Sequence, residues 1–228
     1  MKSTGRSRSL VLLHFVGYLA LPWIIIAGAE TGVLDDKLLD RVEQEYGVQG
    51  RERVLDWGTL IRVEQGASNA EKLERVNRFF NEINFVSDIK HWGEEDYWAT
   101  PIEFLASNAG DCEDFAVAKY FTLKELGVPI ERMSLTYVKA LKLNQAHMVL
   151  TYIESPDAEP LVLDNLIGEI KPASLRRDLL PVYSFNGDNL WLAKERGRGQ
   201  LVGKASRLGR WSELMRRMAE HGIKKAKR

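Results

Sequence analysis

The chain has 228 residues, of which 45% are hydrophobic and 28% are charged, and it contains a single cysteine. This composition is typical of a folded globular protein and excludes collagen-like and disordered classes; the single cysteine excludes an intramolecular disulfide and a cysteine-based zinc cage. The formal net charge is zero, which argues against a general nucleic-acid binder. A chain of this length predicts one domain, with or without a helical annex.

The charge is unevenly distributed along the chain. From Lys194 to the C-terminus there are 12 Lys and Arg against 3 Asp and Glu, and residues 1–29 carry a net charge of +3, so residues 30–193 carry −12. An acidic body suits a cation-binding site, and a basic tail suits an acidic partner or surface.

The first 29 residues are predicted to be an export signal. Three basic residues precede an apolar run from Leu10 to Ile26, and Ala27-Gly28-Ala29 follows it. This order describes a secretory signal peptide that is cut after Ala29. The alternative is an uncleaved anchor, because the apolar run is just long enough to span a bilayer. Either reading predicts that the body lies in the periplasm.

The first part of the body is predicted to be helical. Its apolar residues recur at helical spacing in three groups. Ser68 with Glu71 is a capping box that predicts the start of the third helix, and Thr100 with Glu103, around Pro101, predicts a further short one. The three apolar groups span residues 34–46, 54–61 and 73–83.

A further helix and a set of strands are predicted next. Asp111 is expected to cap a helix from Cys112 to Leu126, which Gly127 ends. The hydrophobic pattern then changes to that of an antiparallel hairpin with a third strand. The strand predictions are Met133 to Ala140, His147 to Ile153 and Leu161 to Leu163, with Leu180 to Leu192 as a source of further strands.

The C-terminal part is predicted to be an exposed linker over residues 194–204, followed by an amphipathic helix from Ser206 to His221 whose apolar face packs onto the domain. We therefore expect a signal peptide over residues 1–29, one α+β domain over 30–193 and a basic tail over 194–228. The domain has a helical N-terminal part followed by an antiparallel sheet.

Cys112 is the candidate nucleophile. It lies in the first turn of its predicted helix, where the helix dipole favours the thiolate and lowers the thiol pKa. A nucleophile also needs a base and a group that orients the base. His147 begins a strand and Asp164 ends the next one, so neighbouring strands would bring the carboxylate to the imidazole. The three residues are candidates for a thiol triad, although an inert buried cysteine with a structural His and Asp is the alternative.

Three carboxylates surround the cysteine, those of Asp111, Glu113 and Asp114. A divalent cation with oxygen ligands would relieve their mutual repulsion. The alternative is that Asp111 is only an N-cap and Asp114 its capping-box partner, and we expect that structural role for Asp114. Asp111 and Glu113 are the candidate calcium ligands, and a loop such as Lys142 to Gln145 is expected to supply others.

Three motifs are distinctive in combination: Gly110-Asp111-Cys112-Glu113-Asp114, Ala146-His147-Met148 and Leu163-Asp164-Asn165. Together they resemble the bacterial transglutaminase-like cysteine proteinases, and the periplasmic LapG-type members in particular. The resemblance is strong from Trp98 to Leu192 and less specific before it.

The resemblance implies a papain-like fold, a catalytic triad of Cys112, His147 and Asp164, and calcium dependence carried by Asp111 and Glu113. It also implies a substrate, the N-terminal region of a large secreted adhesin, which is cut at a di-alanine type motif to release cells from a biofilm. An inner-membrane receptor for cyclic dimeric GMP would sequester the protease.

Other functions are compatible with the same residues. The triad could serve the hydrolysis of peptidoglycan peptides or an amide transfer, and an exported calcium-binding module with an inert Cys112 is a non-catalytic alternative. The backbone N–H of Cys112 is the expected oxyanion donor. The resemblance to transglutaminases suggests Trp98 as a second donor, with a packing role for Trp98 as the alternative. The aromatic segment from Trp92 to Trp98 is expected to be exposed and to anchor the receptor.

Overall fold

A computed structural model describes residues 34–194 and 197–220, and the predicted signal peptide lies outside them. Within the described ranges, no helix is long and apolar enough to cross a membrane. The helices are α1 (Asp36–Glu64), α2 (Asn69–Phe80), α3 (Asp88–His91), α4 (Pro101–Ser107), α5 (Cys112–Glu125) and α6 (Gly209–Ala219). The strands are β1 (Asn84–Phe85), β2 (Ala109–Gly110), β3 (Met133–Ala140), β4 (Gln145–Tyr152), β5 (Leu161–Leu163), β6 (Lys171–Pro172), β7 (Leu179–Phe185), β8 (Asn189–Lys194) and β9 (Gly197–Lys204).

The predicted helix starts are confirmed. The Ser68 N–H donates to Glu71 Oε2 at 2.9 Å in one capping box, and the Thr100 N–H donates to Glu103 Oε2 at 2.7 Å in the other. Helix α1 contains the first two predicted apolar groups, and it is interrupted at Gly47, whose backbone is at φ 77° and ψ 177°. Glycine tolerates this positive φ because it has no Cβ, so the chain bends where the apolar periodicity is broken.

The predicted hairpin and third strand are also confirmed. Strands β3 to β9 form an antiparallel sheet in the order β6-β5-β4-β3-β7-β8-β9. In this register Val138 of β3 lies opposite His147 of β4, and Leu150 of β4 lies opposite Leu163 of β5. The predicted α+β class, with helices before an antiparallel sheet, is therefore correct.

The prediction of an exposed linker over residues 194–204 is wrong. Residues 197–204 form strand β9, which pairs with β8 through partners such as Trp191 and Leu201. The basic, glycine-rich composition indicated a loop, but strand formation depends on the neighbouring strand more than on local composition.

The core lies between the helices and one face of the sheet. Helix α5 packs against β3 and β4, and α2 and α4 pack against α5. A smaller apolar cluster of Val138, Val149 and Val162 is separate from this core. These three valines also line a cavity of about 1190 Å³.

Helix α6 packs on the body through its apolar face, as predicted. Trp211 and Leu214 are buried in the main core. Arg217 adds polar contacts: its Nη1 donates to the Tyr97 hydroxyl at 2.6 Å and to Glu103 Oε2 at 2.7 Å. Arg210 forms an ion pair with Asp96 at 3.1 Å. The basic tail thus makes hydrogen bonds and an ion pair with the segment that precedes α4.

A short parallel pairing brings two distant segments together in front of α5. Asn84 pairs with Ala109 and Phe85 with Gly110, and the Val86 N–H donates to the Gly110 carbonyl at 2.8 Å. This pairing brings the residues that follow β1 next to the residue that caps α5.

Gly110 is expected to be irreplaceable at this point. A Cβ there would lie 2.4 Å from Asp114 Oδ2 and 2.6 Å from the Phe104 ring. Gly110→Ala is therefore expected to destabilise the fold by about 1–3 kcal/mol, as overpacking does, whereas a Cβ at Gly66 meets nothing within 4 Å. Urea unfolding of both alanine variants measures the difference, and equal midpoints would contradict the close approach.

Candidate active site

Cys112 is the first residue of α5, and Asp111 is its N-cap, as predicted. Helix α5 packs on β3 and β4, and the backbone N–H of Met148 lowers the pKa of the Cys112 thiol, although burial and Glu113 raise it more. Met148 directly follows His147 in β4. The structure therefore brings the start of α5 to the strand that carries the candidate base.

His147 and Asp164 form a buried pair. His147 Nε2 lies 2.7 Å from Asp164 Oδ1, and the residues are 2% and 1% exposed. Burial by itself raises the pKa of Asp164, but hydrogen bonds from His147, Leu166 and Arg176 outweigh it and lower that pKa to about 2. The carboxylate is therefore ionised and can only accept, so Nε2 carries the hydrogen, and Nδ1 is the acceptor in the neutral imidazole.

The Cys112 thiol donates to Glu113 Oε2 at 3.0 Å. The pKa of the thiol is raised, first by burial, then by the charge and hydrogen bond of Glu113 and by the charge of Asp111. Without a bound cation, burial and these two carboxylates outweigh the helix dipole, from which a lowered thiol pKa is expected. A dipole contributes about 0.3–1 kcal/mol at a helix end, which burial beside two carboxylates exceeds.

An acidic cluster adjoins the cysteine and includes a residue that the sequence analysis did not identify. Asp88, Asp111 and Asp114 each place a carboxylate oxygen within 4.8 Å of the others, and Asp111, Cys112 and Glu113 form a second such group. Asp88 lies at the start of α3, which the β1–β2 pairing holds beside α5. Asp88 and Asp111 are 23 positions apart in the chain, so the sequence alone does not indicate that their carboxylates lie close together.

Two oxygens of the cluster are buried without a hydrogen-bond partner, Asp88 Oδ1 and Asp111 Oδ1. Burial, and then the charge of Asp111, raise the pKa of Asp88 to about 7. The pKa of Glu113 is also raised by burial and by its contact with Asp111. Unpartnered carboxylate oxygens at close range are the ligand type that calcium prefers, so these residues fit a calcium ion.

Asp114 has the structural role that was expected of it. Its Oδ2 accepts from the Asp111 N–H at 3.1 Å, and its Oδ1 accepts from the Ala99 N–H at 2.7 Å. One backbone donor is the N-cap of α5 and the other directly precedes the N-cap of α4, and Asp114 is fully buried. Asp114 fixes the segment that carries Asp111 and Cys112.

The aromatic segment is not the exposed anchor that was expected. Trp92 is 1% exposed, and Trp98 is 6% exposed. The Trp98 ring stacks on Phe185, and its indole N–H donates to Asp96 Oδ1 at 2.9 Å. These contacts give Trp98 a packing role. The backbone N–H of Cys112, at a helix start, is the better candidate for an oxyanion donor.

A cysteine at a helix N-terminus, packed on a strand whose His pairs with an Asp at the end of the neighbouring strand, is the arrangement of a thiol-dependent hydrolase. The family model described as bacterial transglutaminase-like cysteine proteinase BTLCP matches residues 56–177. The chain belongs to this family and is a cysteine protease.

Solved structures of LapG from Legionella pneumophila are similar to this chain over about four-fifths of its length. The EGTA-treated form is 46% identical with a TM-score of 0.71, over 80% of this chain and 96% of that one. A further LapG structure is 45% identical with a TM-score of 0.70, over 80% and 96% of the two chains. The calcium-bound form is 45% identical with a TM-score of 0.69, over 81% and 99%. A comparison with curated protein sequences gives no match.

Proposed function

We propose that the protein is a periplasmic, calcium-dependent endopeptidase in which Cys112 is the nucleophile, His147 the general base and Asp164 the orienting carboxylate. The observation that carries this proposal is the buried 2.7 Å contact between His147 and Asp164, beside the helix α5 that begins at Cys112 and packs on the strand of His147. Catalytic hydrogen bonds that involve the nucleophile are often completed only when substrate binds.

The triad supports acyl transfer in two steps. His147 Nδ1 takes the thiol proton, and the Cys112 sulfur attacks the scissile carbonyl, whose oxyanion accepts from backbone N–H groups at the start of α5. The protonated His147 gives its proton to the leaving amine as the carbon–nitrogen bond breaks. Water then hydrolyses the acyl-enzyme with His147 as base, which restores the thiol.

Calcium is assigned to Asp111 and Glu113, with Asp88 as a further ligand. The two unpartnered oxygens of Asp88 and Asp111 support this assignment, as do the calcium-bound and EGTA-treated structures of LapG at 45–46% identity. A bound calcium ion supplies positive charge beside Cys112 and offsets the carboxylates that disfavour its thiolate.

The proposed substrate is the N-terminal region of a large surface adhesin, and the proposed inhibitor is an inner-membrane receptor for cyclic dimeric GMP. Membership of the family and the coverage of 96–99% of the LapG chains support both. Release of such an adhesin would promote biofilm dispersal.

Purified protein without residues 1–29, mixed with recombinant N-terminal adhesin fragments, tests the activity and substrate together. We expect cleavage at one site with calcium and none with EGTA. Cleavage of peptidoglycan peptides instead, or transfer to an added amine, would favour the alternative enzymes. An inert protein that still binds calcium would favour a non-catalytic module.

Export is tested separately at the N-terminus. We expect the periplasmic protein to begin at Glu30, because Ala27-Gly28-Ala29 has the small residues that signal peptidase requires. N-terminal sequencing of the periplasmic fraction measures this. Recovery of an intact Met1 in the membrane fraction would instead establish an uncleaved anchor.

A further inference from the structure

Asp164 is held by a residue outside the proposed triad. Arg176 Nη2 donates to Asp164 Oδ2 at 2.7 Å. The other oxygen, Oδ1, faces His147 and also accepts from the Leu166 N–H at 3.1 Å. Because each oxygen has its own donors, a turn of the carboxylate about its Cβ–Cγ bond would lose hydrogen bonds on both sides.

Arg176 is itself fixed in place independently of Asp164. It is 4% exposed and follows the 3-10 turn Ala173–Leu175. Its Nε donates to Asp178 Oδ1 at 3.1 Å, and its Nη2 donates to Asp178 Oδ2 at 2.9 Å. A buried guanidinium needs carboxylates to offset its desolvation. Asp178 supplies one of these carboxylates, and Asp164 supplies the other.

The basic side chains around Asp164 come from three parts of the fold. His147 faces it from β4, Arg176 from the segment before β7, and Lys119 from α5. Lys119 is linked to it through Asn81: Lys119 Nζ donates to Asn81 Oδ1 at 2.7 Å, and Asn81 Nδ2 donates to the Asp164 carbonyl at 2.9 Å. Of Arg176 and Lys119, Arg176 is the one whose hydrogen bond reaches the Asp164 carboxylate itself.

We infer that Arg176 is a positioning residue for catalysis, which holds Asp164 Oδ2 and thereby keeps Oδ1 on His147 Nε2. The inference rests on the proposed triad. With Oδ1 fixed there, Nε2 keeps its hydrogen and Nδ1 remains the nitrogen that accepts the Cys112 proton. Without Arg176 the carboxylate loses its second anchor and a neutralising charge, so the imidazole samples other tautomers and orientations.

Arg176→Met and Arg176→Lys test this, with Arg177→Met as a matched control because Arg177 is the exposed neighbour. We expect Arg176→Met to lower kcat by about 10- to 100-fold, since small misplacements of reacting groups cost on that order, with little change in KM. Arg176→Lys keeps the charge and should retain more activity. The control should match wild type.

Two readouts separate positioning from a merely structural role. The acidic limb of the pH profile of kcat/KM should move to higher pH in Arg176→Met, because Asp164 loses a cation that lowers its pKa. Nitrogen-15 NMR of His147 should show the Nε2–H tautomer in wild type and a mixture in the variant. Asp178→Asn, which weakens the hydrogen bonds that hold Arg176, should shift the His147 tautomer in the same direction even if Arg176→Met does not fold.

Arg176→Met or Asp178→Asn proteins that melt lower but keep the wild-type kcat, pH profile and tautomer would overturn the inference. In that case inactive Asp164→Asn and His147→Ala variants would leave the proposed triad standing. If those two variants cleave like wild type, the proposed triad fails, and the inference fails with it.

Discussion

Replacing Cys112 with Ser, His147 with Ala or Asp164 with Asn is expected to lower kcat/KM for the adhesin fragment by about 10⁴-fold or more. Each change removes one member of a unit whose parts act together. Asparagine at position 164 keeps the shape of the buried side chain but has one acceptor oxygen, so it loses the hydrogen bond with His147 or the one with Arg176. Steady-state cleavage assays measure the loss.

Double variants give the sharper test of the unit. A Cys112→Ser, His147→Ala protein should be little worse than the poorer single variant, because effects within a catalytic unit are not additive. His91→Gln is the control for loss of an imidazole elsewhere, in α3, and should retain activity. Circular dichroism must show an intact fold for each protein. Ordinary cleavage by Cys112→Ser would end the triad assignment.

Local sequence signals were sufficient for the helices and for the central strands. Capping residues such as Ser68 and Thr100 satisfy N–H groups within three positions, so their structural outcome is decided by neighbours in the chain. Strand β9 was missed because Gly197, Gly199 and Gly203 have low strand propensity. Its conformation comes from pairing with β8, which no local pattern records.

The candidate site likewise contains residues that local sequence patterns predict and residues that only the folded chain brings together. His147 and Asp164 were predictable as a pair because they belong to consecutive strands of one sheet. Asp88 was not, since only the pairing of two-residue strands brings it to Asp111. Arg176 was not predictable either, because its partner lies 12 positions away across an irregular segment. Burial is also the main cause of the raised pKa of the Cys112 thiol. The extent of burial is set by the folded protein, so the sequence alone does not give it.

Calcium removal is expected to abolish cleavage reversibly, and the acidic cluster allows the ligands to be separated by mutation. Asp111→Asn, Glu113→Gln and Asp88→Asn should each weaken calcium binding by at least about tenfold, since affinity follows the number of charged ligands. Asp157→Asn, on an exposed loop, is the control and should bind like wild type. Calorimetric titration measures all four.

Asp88→Asn distinguishes the calcium site from a capping role at the start of α5. If Asp111 served only as an N-cap, its loss would cost about 0.5–2 kcal/mol of stability, and Asp88 would have no effect on calcium. If the cluster binds the ion, Asp88→Asn should lower calcium affinity, and this variant should cleave the adhesin fragment only at raised calcium concentration. In EGTA, the rate of Cys112 alkylation in Asp88→Asn should equal that in wild type.

Asp114→Asn should chiefly lower the melting temperature, because the Asp114 oxygens bind backbone N–H groups. Full calcium affinity in an Asp111→Asn, Glu113→Gln double variant would place the ion elsewhere, and full affinity in Asp88→Asn alone would remove Asp88 from the ligand set.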